Sequence, residues 1–194
     1  MAGCWIVQLI VGAQLALGNT SVYFTSYYRY TLGYDVNQDF FYPMQPLIVI
    51  LASLFFPLGN WLMDVIGNKS RPVILLGGGC AILLVTCAVA MKPTPRVFIV
   101  LYCLGMGIFK GFLGPAILRA GWSHLPERKG IVSGIIISGF GFGGFVFGIV
   151  TQRLCNPDSL KFEVDPTDGL KYLPIEVGNN VPSAVKILCV IWIV

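Results

Sequence analysis

Lys110 is the first residue to explain. It stands in VFIVLYCLGMGIFKGFLGPAILRAGW (97–122), after thirteen uncharged residues from Val97 to Phe109 and before an apolar stretch that reaches Arg119. An ammonium near the bilayer centre costs roughly 2.5–3.5 kcal/mol on insertion scales and marks a functional site by default. On a helical wheel Cys103, Gly107, Gly114 and Ile117 fall within about 60° of it, with Leu101, Ile108 and Phe112 opposite. The small-residue side is expected to meet protein or a cavity, and the bulky side lipid. Three roles are open to such a lysine. It binds or gates an anion, it pairs with a helix-end carbonyl, or it snorkels to an interface about 12 Å away.

Other polar groups have a spacing that means something. Asn19 and Tyr23 are four apart in the first apolar run, so they share a helix face; they either line a cavity with Lys110 or act as hydrogen-bonding glue. After the second run, NWLMDVIGNKSR sets Asp64 at a helix end, Gly67 in a tight turn, and Lys69 and Arg71 as anchoring cations. Gly67 is expected at φ > 0, and Asp64 to pair with a helix terminus or a nearby cation. Arg119 suits the negative end of its own helix dipole. Gly130, Gly134, Ser138, Gly141 and Gly148 fall on one face at 100° per residue, a small-residue stripe expected to pack helix on helix.

Several chemistries lack their residues. Gly139, Gly141 and Gly144 satisfy G-x-G-x-x-G, but inside a long apolar run with no strand before it and no acid about 20 residues on, so no dinucleotide site is expected. The six cysteines show no C-x-x-C spacing and His124 is the single histidine, which leaves no metal centre, no catalytic triad and no cofactor to expect. No enzyme activity is expected. The basic residues are too dispersed for nucleic acid. The sequons at Asn19 and Asn68 fall inside a span and in a short turn, where modification is not expected.

These residues need elements to hold them. The chain is 56% hydrophobic and 11% charged, with a mean hydropathy of +0.77, against about 25% charged in soluble domains. Its charges are concentrated between long apolar runs, at about 3–28, 41–63, 72–91, 97–118 and 130–151. A hydrocarbon core of about 30 Å takes roughly 20 helical residues, and backbone groups there must bond internally. The reading is an all-α, polytopic membrane helix bundle, with the lipid bilayer as its first partner. The first run has no basic n-region and is too long for a signal peptide. A sixth apolar run, 184–194, is short for a crossing, so the chain is expected to be a piece of a longer protein. Short connections make consecutive helices antiparallel neighbours. The exception is 153–183, an irregular hydrophilic loop with Asn156-Pro157, Asp165-Pro166 and Asp168-Gly169 as turn signals. Lys69, Arg71, Arg119, Arg128 and Lys129 outnumber the cations of the opposite short loops, Arg29, Lys92 and Arg96, which leans towards a cytoplasmic N-terminus.

The turn at 59–71 resembles the signature between helices two and three of the major facilitator superfamily, G-x-L-x-D-R-x-G-R-K, through Leu62, Asp64, Gly67 and Lys69. Asn60, Val65 and Asn68 depart from it. The stretch from Gly105 to Gly143 is similar to the fourth-to-fifth helix region of that superfamily's oxalate/formate and monocarboxylate branches. Gly105, Gly107, Pro115, Trp122, Pro126, Arg128, Lys129, Gly130, Gly134, Gly139, Gly141 and Gly143 carry the likeness, while the fourth-helix arginine of other branches is missing at Leu101. Gly18, Asn19 and Tyr23 echo the same branch. The resemblance implies the N-terminal six-helix half of a twelve-helix secondary transporter working by alternating access, with a C-terminal half outside this chain as partner. It implies a path walled by helices one, two, four and five, and a small carboxylate anion as substrate. Lys110, Asn19 and Tyr23 are the candidate substrate-binding or gating residues; Asp64, Gly67, Lys69 and Arg71 form the candidate conformational-gate turn. The competing reading is a membrane scaffold or accessory subunit that keeps half the fold without transporting.

Overall fold

The computed structural model describes residues 2–67, 69–91, 94–166 and 169–193. The Asn68 sequon, Lys92 and the Asp168 turn position lie outside them. Six helices follow in order: α1 (Ala2–Thr31), α2 (Met44–Val65), α3 (Ser70–Ala90), α4 (Pro95–His124), α5 (Lys129–Cys155) and α6 (Ile175–Ile193). Five of them, α1 to α5, are long and apolar enough to cross a membrane.

The bundle is helical with one addition. Between α5 and α6 two short antiparallel strands, β1 (Glu163–Val164) and β2 (Lys171–Tyr172), pair Glu163 with Tyr172 and Val164 with Lys171. The hydrophilic connection is also shorter than 153–183, and the sixth helix begins well before 184. Gly178, Asn179, Asn180 and Pro182 read locally as helix breakers, but tertiary contacts override them. Gly178 lies against the Ser26 carbonyl of α1, Asn180 Nδ2 donates to the Cys155 carbonyl (3.1 Å) and Thr31 Oγ1 to Asn179 Oδ1 (2.9 Å).

α1 is not one regular helix. A 3-10 stretch, Gly12–Ala16, interrupts it and a π turn, Tyr27–Thr31, ends it. The first irregularity coincides with its closest contact. A Cβ on Gly12 would lie 2.1 Å from the Phe140 carbonyl oxygen, and one on Gly143 2.0 Å from that of Leu9. Backbones this close leave no room for side chains, the usual way helices associate in lipid. Thr20 and Thr25 of α1 bond back into their own helix, to the Ala16 carbonyl (2.9 Å) and to that of Ser21 (3.0 Å), so neither hydroxyl is left unsatisfied at membrane depth.

α4 sits between α2 and α3 and is the most buried span. Its small side carries Gly107 and Gly111 against Leu51 and Phe55 of α2, while Phe112 on the bulky side packs on Gly77 of α3. The expectation that this bulky side meets lipid is therefore corrected. Gly77 opens a slot in the neighbouring helix for the ring, and lipid meets α3 instead, through Leu75, Leu76 and Leu83. At one end of the bundle Phe24, Tyr28, Phe41, Phe98 and Tyr102 form an aromatic core, with the Phe24 and Phe98 rings edge-on at 4.9 Å.

Candidate functional site

Lys110 lines a cavity of about 470 Å³ bounded by α1 (Gln8, Val11), α2 (Ser53, Phe56, Pro57), α4 (Lys110, Gly114) and α5 (Ile137). Among the described residues it is the one charged group on that wall. Its Nζ lies 5.1 Å from the centroid of the Phe140 ring, within range of a cation–π attraction that desolvation strengthens. Pro57 lies inside α2 and has no N–H to give, so the Ser53 carbonyl, one turn back, lacks its usual helical donor. Gln8, Ser53 and Phe140 were missed as site residues from sequence. They come from three different helices, and no local pattern links them.

Asn19 and Tyr23 do not join Lys110. They line a second cavity, of about 300 Å³, with Gly148 and Gln152 of α5 and with Asn156, Ser159, Leu160, Phe162 and Leu173 of the connection before α6. Its walls mix polar and apolar side chains and carry no charge. Four residues apart on α1 the pair does share a face, and that face points towards the hydrophilic connection rather than towards the centre of α4.

The turn residues are spread along one end of the bundle. Gly67 has φ +65°, in the left-handed region, and its N–H bonds the Asp64 carbonyl (3.2 Å) as the helix ends. The Asp64 carboxylate pairs with the Arg119 guanidinium at the end of α4. Arg119 thus has a partner across the bundle in addition to its own helix terminus. Lys69 and Arg71 are exposed at the start of α3.

The small-residue stripe needs a correction. No atom outside the helix's own backbone lies within 4 Å of a Cβ built on Gly130, Gly134, Gly141 or Gly148; Ser138 alone of the stripe reaches α1, accepting from Trp5 Nε1 (3.2 Å). The close contact belongs to Gly139, against Trp5, and to Gly143, with Gly12 facing it. Gly139-x-x-x-Gly143 is the signal that could have found it. Gly130-x-x-x-Gly134 and Gly144-x-x-x-Gly148 carry the same spacing, so the sequence could not choose among faces.

The opposite end holds an arrangement that sequence reasoning did not reach. Arg29, in the π turn of α1, donates through Nε to Asp165 Oδ2 (2.9 Å); Tyr30 Oη donates to the same oxygen (3.0 Å). The guanidinium lies 4.5 Å from the centroid of the Tyr172 ring, and Nη1 reaches the Val36 carbonyl (3.3 Å) and Asp35 (3.5 Å). The two partners are 136 residues apart in the chain.

Five membrane-spanning helices define an integral, multi-pass membrane protein. The chain is 30% identical over 164 residues to apicoplast pyruvate carrier 1 of Toxoplasma gondii, an alignment covering 74% of this chain and 29% of the carrier. That relative is a carrier, not an enzyme. The chain thus spans less than a third of the length of the curated relative it matches. No family profile matches the chain. No solved structure matches it either.

Proposed function

We propose that this chain is part of a secondary carrier that moves a small carboxylate anion across a membrane by alternating access, with Lys110 as its anion-binding or gating cation. One observation carries the reading. An ammonium faces a cavity at membrane depth, over an aromatic ring and without a carboxylate on the cavity wall among the described residues. A half-buried cation so placed has no carboxylate on its cavity wall, and a small carboxylate supplies one by charge-assisted hydrogen bonding. The printed name of the relative, a pyruvate carrier, supports the same class of solute.

The finer assignment is the N-terminal half of a major facilitator transporter, working against a second six-helix half. Its support is the turn signature and a cavity walled by the first, second, fourth and fifth spans, the four helices that this assignment requires. Asn19 and Tyr23 take a subsidiary role at the end of the solute path. Asp64, Gly67, Lys69 and Arg71 form the turn that biases one conformational state, with Arg119 as the partner of Asp64.

The test is uptake of labelled small monocarboxylates by the complete carrier. Lys110→Gln is expected to cut uptake about tenfold or more at unchanged surface expression, the factor expected when a charge-assisted bond of about 1.5–3 kcal/mol is lost. Lys110→Arg keeps the charge and is expected to retain part of it. Normal uptake by Lys110→Gln would sink the proposal.

A further inference from the structure

The two ends of the bundle differ in charge. At the Arg29 end, among the described residues, Asp35, Asp39, Asp158, Glu163, Asp165 and Glu176 offset the cations. At the Asp64 end the described carboxylates are Asp64 and Glu127, set against Lys69, Arg71, Arg119, Arg128 and Lys129. Asp64 pairs with Arg119. Lys69, Arg71, Arg128 and Lys129 are exposed, and among the described residues none of them lies within 4.0 Å of a carboxylate oxygen. That end of the protein presents a cationic surface whose charge the protein itself does not neutralise.

The α4–α5 turn holds two of these cations in a defined place. A 3-10 turn, Pro126–Arg128, links the helices. Trp122 Nε1, near the end of α4, donates to Ser133 Oγ of α5 (2.8 Å), and the same hydroxyl donates to the Lys129 carbonyl (2.9 Å). Lys129 Nζ lies 5.9 Å from the centroid of the Trp122 ring, within cation–π range. The turn is therefore tied across the two helices, and Arg128 and Lys129 project from it into solvent. Leu125 and Ile131, which flank the pair along the chain, are 47% and 60% exposed. Trp61 of α2 is exposed at the same end, and indole rings gather at the headgroup level of a bilayer.

We infer that the α4–α5 turn is a docking site for an anionic phospholipid, its phosphate met by Arg128 and Lys129 and its acyl chains by the apolar side chains beside them. The chemistry fits each part of such a molecule. A guanidinium and an ammonium side by side suit a phosphate, the first through paired N–H donors and the second as a point charge. A basic cluster at the membrane surface attracts anionic headgroups, with about 1 kcal/mol for each Lys or Arg close to them. Charge alone would suit a soluble anion equally well. The exposed Leu125 and Ile131 beside the cations are what favour a lipid, because only a molecule that carries hydrocarbon covers both kinds of surface. Lys69 and Arg71, exposed at the start of α3, add long-range attraction at the same end. This inference does not depend on the role given to Lys110.

The experiment needs no transported solute. The full chain, purified in a mild detergent, is titrated with phosphatidylglycerol or with phosphatidylcholine, and bound lipid is counted by native mass spectrometry. Phosphatidylglycerol is expected to bind about tenfold or more tightly, since the two lipids share a phosphate and phosphatidylcholine cancels its charge. Arg128→Gln and Lys129→Gln should each weaken phosphatidylglycerol about fivefold, the factor that corresponds to about 1 kcal/mol per cation, and the double variant should bind the two lipids alike. Arg128→Lys keeps the charge and should retain most of the preference. Arg96→Gln and Arg153→Gln are the controls. They remove exposed cations from the opposite ends of the same two helices and should leave the preference unchanged. Glycerophosphoglycerol, the same headgroup without acyl chains, should not displace the lipid at equal concentration. Equal affinity for the two lipids, an equal loss from Arg96→Gln or Arg153→Gln, or displacement by glycerophosphoglycerol would each overturn the site.

Discussion

The two ends of the helix bundle are both tied by an arginine–aspartate pair, and the pairs are not alike. Arg29 and Asp165 have side chains 11% and 8% exposed, share a tyrosine hydroxyl and lie against a tyrosine ring. Arg119 and Asp64 are 28% and 63% exposed. The same two functional groups therefore work in different dielectrics. Near water an ion pair contributes about 0–1 kcal/mol and is screened by salt, whereas a desolvated one costs several kcal/mol to break from one side. The Arg29 end holds a tie that is costly to break; the Asp64 end holds a soft one that can trade partners.

The α1–α5 contact is a close-packed shaft between the two ends, and breaking it has the largest expected effect. Gly143→Leu puts a side chain where a Cβ alone would lie 2.0 Å from the Leu9 carbonyl oxygen, so stability in detergent should fall by about 3 kcal/mol or more. Gly141→Leu, on the outward face, should stay within about 0.5 kcal/mol. Equal losses for the two would mean the helices pack on the other face.

Next comes the buried tie. Arg29→Gln leaves the Asp165 carboxylate without its guanidinium, and hydrogen exchange of the described amides from Phe162 to Asp165 should quicken by a factor matching about 2–3 kcal/mol of lost local protection. Unchanged protection of those amides would make the two ends equivalent and remove the contrast.

Two smaller effects sharpen the other end. Gly67→Val forces a β-branched residue to φ +65°, at a cost of about 1–3 kcal/mol, which thermal unfolding should register. Asp64→Asn should change stability by less than about 1 kcal/mol while shifting thiol accessibility along the Lys110 cavity. Raising salt to molar strength should reproduce that shift in the unaltered protein and leave the Arg29–Asp165 pair intact, since screening reaches the exposed pair first. No shift for Asp64→Asn would count against its role in the turn.

Much of this architecture was legible because lipid imposes a one-dimensional rule. A segment without water must bond its own backbone, so apolar length alone identified five crossings, and a charge inside one of them marked Lys110 for attention. Gly67 in its turn was equally local, a helix end followed by a residue free to adopt positive φ. Where the rule is not local, reading along the chain failed. Helix breakers in 178–182 lost to contacts with α1, and the stripe chosen on α5 was not the packed one. Several glycine spacings satisfy the same condition, and only the partner helix selects among them.

By itself, then, the sequence determined that the chain is a multi-span membrane protein and that an ammonium sits inside one of its long apolar runs. The tertiary structure decided what these residues face. It separated Asn19 and Tyr23 from Lys110, gave Lys110 the Phe140 ring and a wall shared by four helices, paired Asp64 with Arg119, and joined Arg29 to Asp165 across 136 residues. The physical reason is that hydrophobicity acts on each segment alone, whereas close approach, cavities and buried ion pairs are properties of two or more segments at once. A helix has several faces that satisfy lipid equally well, and its neighbours fix which of them turns inward.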